Sequence, residues 1–109
     1  MFPGVIYWVM AVTKVQDVST TLSRKHGNGI LRREVWVDGN GKVVRYNLAY
    51  INHEVFQGDN GRVIGYDNAH GFHHRHFKGK LETVDFVSFE AIEDRFQADW
   101  LAFRRKGRQ

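Results

Sequence analysis

The spacing of apolar side chains changes period once along the chain. From Ile30 to Val87 they recur at alternate positions within short runs, as strands require, and beyond residue 88 they recur every third or fourth position, as a helix requires. Val43 to Phe56 shows the first regime best: Val44, Tyr46, Leu48 and Tyr50 share one face, and Arg45, Asn47 and Ala49 the other. Ile30 to Val37, Arg62 to Asn68, Phe72 to Phe77 and Leu81 to Val87 give further strand-length runs. Three Asn-Gly pairs, Asn28-Gly29, Asn40-Gly41 and Asn60-Gly61, punctuate the first half. Asn-Gly readily supplies the paired positive φ angles of a type I′ turn, so these pairs predict hairpins and hence an antiparallel meander.

In the last part of the chain Phe89, Ile92, Phe96, Trp100 and Phe103 form one apolar stripe at helical spacing. Ser88 is suited to the N-cap, Glu90 to the first turn, and Val87 with Ile92 to a hydrophobic staple. Arg104 to Lys106 fit the negative end of the helix dipole, and Gly107 fits the position just past it. The spacing therefore predicts a helix over roughly 88–105, lying on the sheet face that carries Tyr46, Leu48 and Tyr50. The fold class expected is α+β: five or six antiparallel strands in a meander with one long C-terminal helix packed on one face.

The most apolar run, Val5 to Val12, reads as a buried strand; with Met10 as an alternative natural start, residues 1–9 become a poorly ordered extension. It is far shorter than the ~20 apolar residues of a membrane span, and no Lys or Arg precedes it as in a signal peptide. A cytoplasmic location is expected. The 109 residues make one domain, and with no cysteine the chain can form no disulfide, thiolate metal site or Cys nucleophile.

Charge alters the picture more by position than by amount. The formal net charge is +4, and the tail residues Arg104, Arg105, Lys106 and Arg108 account for all of it. Within the body, residues 62–80 set Arg62, Arg75, Lys78 and Lys80 against Asp67 alone, whereas residues 81–103 set Arg95 against six carboxylates. The basic segment also holds four of the six histidines, His70, His73, His74 and His76.

If residues 72–77 are extended, His74 and His76 project from one face and His73, Arg75 and Phe77 from the other. Two imidazoles ~7 Å apart along a strand can address two sides of one phosphate. Three readings of this segment stand side by side. In the first it cleaves RNA without a metal, since RNA carries its own 2′-OH nucleophile and needs only proton transfer and charge stabilisation. His74 and His76 would be acid and base, Arg75 the phosphate stabiliser and Asp67 the orienting carboxylate; Tyr66, Asn68, His70, His73, Lys78 and Lys80 would hold substrate. In the second, His74 and His76 with Asp67 or His70 bind a divalent transition metal. In the third the segment is a solvated hairpin, with Tyr66 and Phe72 in the core and Asp67-Asn68 as a turn pair. Arg24-Lys25-His26 and Arg32-Arg33 could extend a phosphate-binding surface, and Trp36, on the alternation of Arg32 and Glu34, is the tryptophan best placed to stack on a base. Trp8 and Trp100 read as core and His53 as structural.

The run Tyr66-Asp67-Asn68, then Gly71, His74-Arg75-His76 and Gly79, resembles the signature of TumE-like proteins, small toxins of two-gene toxin–antitoxin systems. The likeness extends back over Tyr46-Asn47-Leu48-Ala49-Tyr50 and forward over Phe86-Val87-Ser88-Phe89 and the helix, covering roughly residues 43–103. It implies a growth-inhibiting protein neutralised by an antitoxin, typically one with a helix-turn-helix domain, and RNA as the target. The spacer Ala69-His70-Gly71-Phe72-His73 and the apolar N-terminal extension depart from the family pattern. The function expected is a metal-independent endoribonuclease toxin without cofactor or membrane, its partners being RNA and the antitoxin, with room for a homodimer. The alternative is a non-catalytic nucleic-acid- or antitoxin-binding module with a divalent metal at the His cluster.

Overall fold

The computed structural model describes residues 11–107, with side chains through residue 104. Six strands, β1 (Thr13–Thr21), β2 (Ile30–Val37), β3 (Val43–Ile51), β4 (Arg62–Asp67), β5 (His74–Phe77) and β6 (Lys80–Thr83), pair in sequence order and antiparallel throughout. Among the described residues one α-helix, α1 (Phe89–Gly107), follows. The fold is the expected α+β meander with a C-terminal helix. Among the described residues no helix is long and apolar enough to cross a membrane.

The core forms where the two apolar periods meet. Tyr46, Leu48 and Tyr66 of the sheet enclose Phe89 and Ile92 of α1, and Tyr50 and Ile64 receive Phe96, Trp100 and Phe103. Trp100 packs on Tyr50 with ring centroids 6.4 Å apart, as expected of a core tryptophan. At the start of α1, the Ser88 Oγ accepts a hydrogen bond from the Ala91 N–H at 3.1 Å, a side-chain N-cap. The predicted staple does not form: Ile92 is buried, but Val87 is 83% exposed.

Strand boundaries differ from the apolar runs where a side chain or a loop claims the backbone. β3 stops at Ile51 because the Asn52 Oδ1 accepts from the Glu54 N–H, and the Asn52 carbonyl from Val55 and Phe56, turning the chain. β6 stops at Thr83, after which the Val84 N–H bonds to the His73 carbonyl and Val84 enters the core. The run Val5 to Met10, with its Trp8 and the alternative start, lies outside the described residues, as do the side chains of the basic tail beyond Arg104. The first strand described is β1, whose nine residues are all exposed.

The Asn-Gly pairs also serve in unequal ways. Asn28-Gly29 does take two positive φ angles, 62° and 88°, at the entry to β2. Asn60-Gly61 ends a longer connection between β3 and β4. The tightest hairpin is instead Lys78-Gly79, with φ 46° and 82°, joining Phe77 directly to its partner Lys80.

Candidate active site

The sheet has two unlike faces. Opposed residues on neighbouring antiparallel strands point the same way, so the row Val18–Arg33–Leu48–Tyr66–Arg75–Glu82 runs beneath α1. The next row, Asp17–Glu34–Asn47–Asp67–His74–Thr83, lies on the outer face, followed by Ser19–Arg32–Ala49–Gly65–His76–Leu81. Asp67, His74 and His76 are therefore brought together on the outer face by the β4–β5 register.

Asp67 is buried, 8% exposed, and its carboxylate is fully engaged. One oxygen lies 2.7 Å from the His76 Nε2 and 3.4 Å from a terminal Arg62 nitrogen; the other accepts from the Ala69 N–H at 3.1 Å. The second terminal nitrogen of Arg62 reaches the His76 Nδ1 at 3.0 Å, and the Arg62 Nε donates to Asp59 at 2.7 Å. A guanidinium can only donate, so the His76 Nδ1 accepts and its proton resides on Nε2, pointing at Asp67. His76 is thereby held in one neutral tautomer between a carboxylate and a cation. His74 stands edge-on to His76, ring centroids 6.2 Å apart, with its Nδ1 4.0 Å from the other Asp67 oxygen.

Arg62 reaches this position because Gly65 leaves the surface open. A Cβ on Gly65 would lie 2.7 Å from the Arg62 Cδ, so any side chain there displaces the arginine. Arg62 entered the sequence reading only as a charge. Strand parity gives no signal for it: alternation groups Arg62 with Ile64 and Tyr66, and only the register shift between Tyr50 and Ile51, which pairs Arg62 with Ile51, brings it to the face of Gly65.

Arg75 does not join the cluster. It points under α1, where its Nε donates to the Asp99 carboxylate at 2.8 Å; the same Asp99 oxygen accepts the Tyr66 hydroxyl at 2.6 Å. Burial, followed by this bond, pushes the Tyr66 phenol up to about 12. Strand alternation thus separates Arg75 and Tyr66 from the histidines beside which their sequence position put them. The remaining candidates also serve elsewhere. Asn68 extends the β3–β4 pairing with its side chain, accepting from the Tyr46 N–H at 3.0 Å and donating to the Val44 carbonyl at 2.9 Å. His73 stacks on Phe86 with centroids 4.0 Å apart, and its Nδ1 shares a hydrogen bond with the Tyr46 hydroxyl at 2.9 Å. Burial, then the nearby His74, lowers the His73 pKa, and burial raises that of Tyr46 to about 12. His70 is exposed in the turn Ala69–Gly71, Lys78 lies over the rings of Phe77 and Phe103, and Lys80 is exposed at the sheet edge. Phe72 is 62% exposed rather than core.

Of the weaker candidates, Arg32 is paired with Asp17 and Glu34, Arg33 with Glu93, and the His53 ring packs against Gly61. Trp36 stands on the outer face between Lys14 and Arg45, whose charged groups lie 5.0 and 4.7 Å from its ring centre. Between Trp36 and the cluster runs a groove of about 310 Å³ whose lining includes Glu34, Arg45, Asn47, Arg62 and Asp67.

The family model described as toxin TumE matches residues 14–105, from β1 to near the end of α1. The chain belongs to the TumE toxin family. That membership gives it a toxin's role within a toxin–antitoxin pair, with an antitoxin as its partner. The family match takes in the whole of the Asp67–His74–His76–Arg62 constellation. No curated protein and no solved structure shows significant similarity to the chain.

Proposed function

We propose that this TumE-family toxin acts by cleaving RNA without a metal ion, at the cluster of Asp67, His74, His76 and Arg62. The observation that carries the reading is the Arg62–His76–Asp67 relay, in which one imidazole has its tautomer fixed and its basic nitrogen covered by a cation. An RNA phosphate offers Arg62 better acceptors than an imidazole does, and drawing the guanidinium onto it uncovers the His76 Nδ1. His76 then takes the proton of the 2′-OH while Asp67 stabilises the imidazolium so formed. The 2′-oxygen bonds to phosphorus, the bond from phosphorus to the 5′-oxygen breaks, and His74 protonates the departing oxygen. Arg62 neutralises the charge that builds on the phosphoryl oxygens.

In this scheme Arg62 takes the role first given to Arg75, which is committed to Asp99 on the opposite face. The groove toward Trp36 supports RNA as the ligand. From β2 to β5 is three strand spacings, ~14 Å, which is room for neighbouring nucleotides, and Arg45 beside Trp36 joins a cation to an aromatic surface as single-strand binders do. On the same reading the toxin works in the cytoplasm, alone or as a homodimer, and its antitoxin carries a helix-turn-helix domain.

The test is incubation of purified protein with RNA in EDTA. Wild type is expected to cleave, and His74→Ala and His76→Ala each to lose roughly 10²-fold or more, the range of a positioned acid or base, together with growth inhibition in cells. Loss of cleavage in EDTA would replace this reading with a metal-dependent one. Growth arrest with no RNA cleavage would leave the toxin role and remove the ribonuclease.

A further inference from the structure

Asp67, His74 and His76 each offer one ligand atom to a common point, the three atoms lying within 4.8 Å of one another. Two imidazoles and a carboxylate are donor types that zinc takes, and small side-chain rotations bring such atoms to its bond lengths of ~2.0–2.1 Å with a fourth position open. The same three groups, however, are occupied in a way that opposes a metal. A zinc ion on the His76 Nε2 needs the ring proton on Nδ1, and that is where Arg62 already points an N–H at 3.0 Å. Two donors cannot face each other at that distance. Arg62 also sets a positive charge 3.4 Å from the Asp67 carboxylate, which opposes a second cation.

We propose that Asp67, His74 and His76 form a zinc site whose occupancy shuts off the proton-transfer machinery, and that Arg62 is the residue that weakens zinc binding there. Zinc and RNA chemistry compete because zinc on the His76 Nε2 requires a proton on Nδ1, the atom that must be free to accept the 2′-OH proton. Arg62 yields to zinc by swinging off the His76 Nδ1 about its remaining tether, the bond from its Nε to Asp59. The inhibitory half of this proposal rests on the ribonuclease reading; the zinc site itself does not.

The experiment is calorimetric titration of the metal-free full-length chain with Zn²⁺, repeated with Co²⁺ to read coordination from its visible spectrum. One ion per chain is expected. Asp67→Asn and His74→Ala should weaken binding by roughly 10–100-fold, and Arg62→Ala should tighten it by roughly tenfold, the scale on which neighbours of metal ligands act. Thermal melts of each variant check that it is folded, and Asp67→Asn preserves shape should the alanine variants fail. Unchanged zinc affinity in Asp67→Asn, or weaker binding in Arg62→Ala, overturns the site. Cleavage assays with equimolar Zn²⁺ should show inhibition reversed by EDTA. Binding with the stated mutational pattern but no cleavage by the metal-free protein leaves the site standing and defeats the ribonuclease reading. Zinc-bound protein that cleaves as fast as metal-free protein defeats the competition.

Discussion

The carboxylate of Asp67 and the imidazole of His76 meet at 2.7 Å on the outer face of the sheet, one strand apart, with Arg62 closing the other side of the ring. Their meeting depends on the β4–β5 register, which sets Asp67 opposite His74 and Gly65 opposite His76. A shift of one residue would turn both histidines under α1 and leave Arg75 outside.

The two arginines on either side of β4–β5 should therefore behave in opposite ways. Arg75→Ala leaves the Asp99 carboxylate with the Tyr66 hydroxyl as its remaining short hydrogen bond. It is expected to cost about 1–3 kcal/mol of stability and to leave cleavage per folded molecule unchanged. Arg62→Ala should lower RNA cleavage by roughly 10²-fold, the scale of one charge-stabilising donor, with a smaller fall in melting temperature. Paired melts and cleavage rates on the two variants check this; equal losses of activity would erase the distinction between the faces.

Gly65→Ala tests how Arg62 is positioned. The added methyl would meet the Arg62 Cδ at 2.7 Å and the Leu48 carbonyl at 3.3 Å. The arginine side chain is the more yielding neighbour, so it should leave His76 and Asp67. Cleavage is expected to fall toward the Arg62→Ala level while the protein still unfolds cooperatively, as followed by circular dichroism and an RNA gel in parallel.

Much of this fold is legible in the sequence, but for uneven reasons. The α1 stripe is readable because five large apolar residues at helical spacing need one surface, and Tyr46, Leu48 and Tyr50 supply it. β1 is not readable that way. An edge strand exposed on both faces carries no burial pattern, and it is held by pairing to β2 and by ion pairs such as Lys14 with Glu34 and Arg32 with Asp17. The Lys78-Gly79 hairpin escapes notice because a lysine occupies a position where asparagine is the expected signal. At the site, alternation correctly groups His74 with His76, yet adjacency in the chain draws Arg75 to them. Arg62 is brought in by a long side chain crossing a glycine, which no local pattern records.

His73 gives the stability a pH dependence of definite sign. Burial, then the nearby His74, holds its folded pKa below the ordinary imidazole value. As pH falls below about 6.5, the unfolded chain takes up a proton that the folded ring resists, so the stability present above that value is progressively lost until the folded ring also protonates. The melting temperature should drop across this interval, and the drop should be smaller in His73→Phe, which keeps the stack on Phe86 and Tyr46 but cannot titrate. An identical pH slope in the two proteins would assign the effect to other groups.

Packing of α1 can be tested away from the site. Ile92 is 1% exposed, and Ile92→Ala should cost about 2–5 kcal/mol. Ser88→Ala, which removes the bond to the Ala91 N–H, should cost about 1 kcal/mol. Chemical denaturation of both variants gives the two values, and a Ser88→Ala cost as large as that of Ile92→Ala would contradict the ranking of core over cap.

The central claim is metal-free cleavage through the RNA's own 2′-OH, and the chemistry of the product ends tests it most directly. RNA cut by the purified protein in EDTA should carry a 2′,3′-cyclic phosphate on one fragment and a 5′-hydroxyl on the other. Fragments ending in a 3′-hydroxyl and a 5′-phosphate would mean that water attacked phosphorus, and would contradict the roles of His74 as acid, His76 as base and Arg62 as phosphate stabiliser.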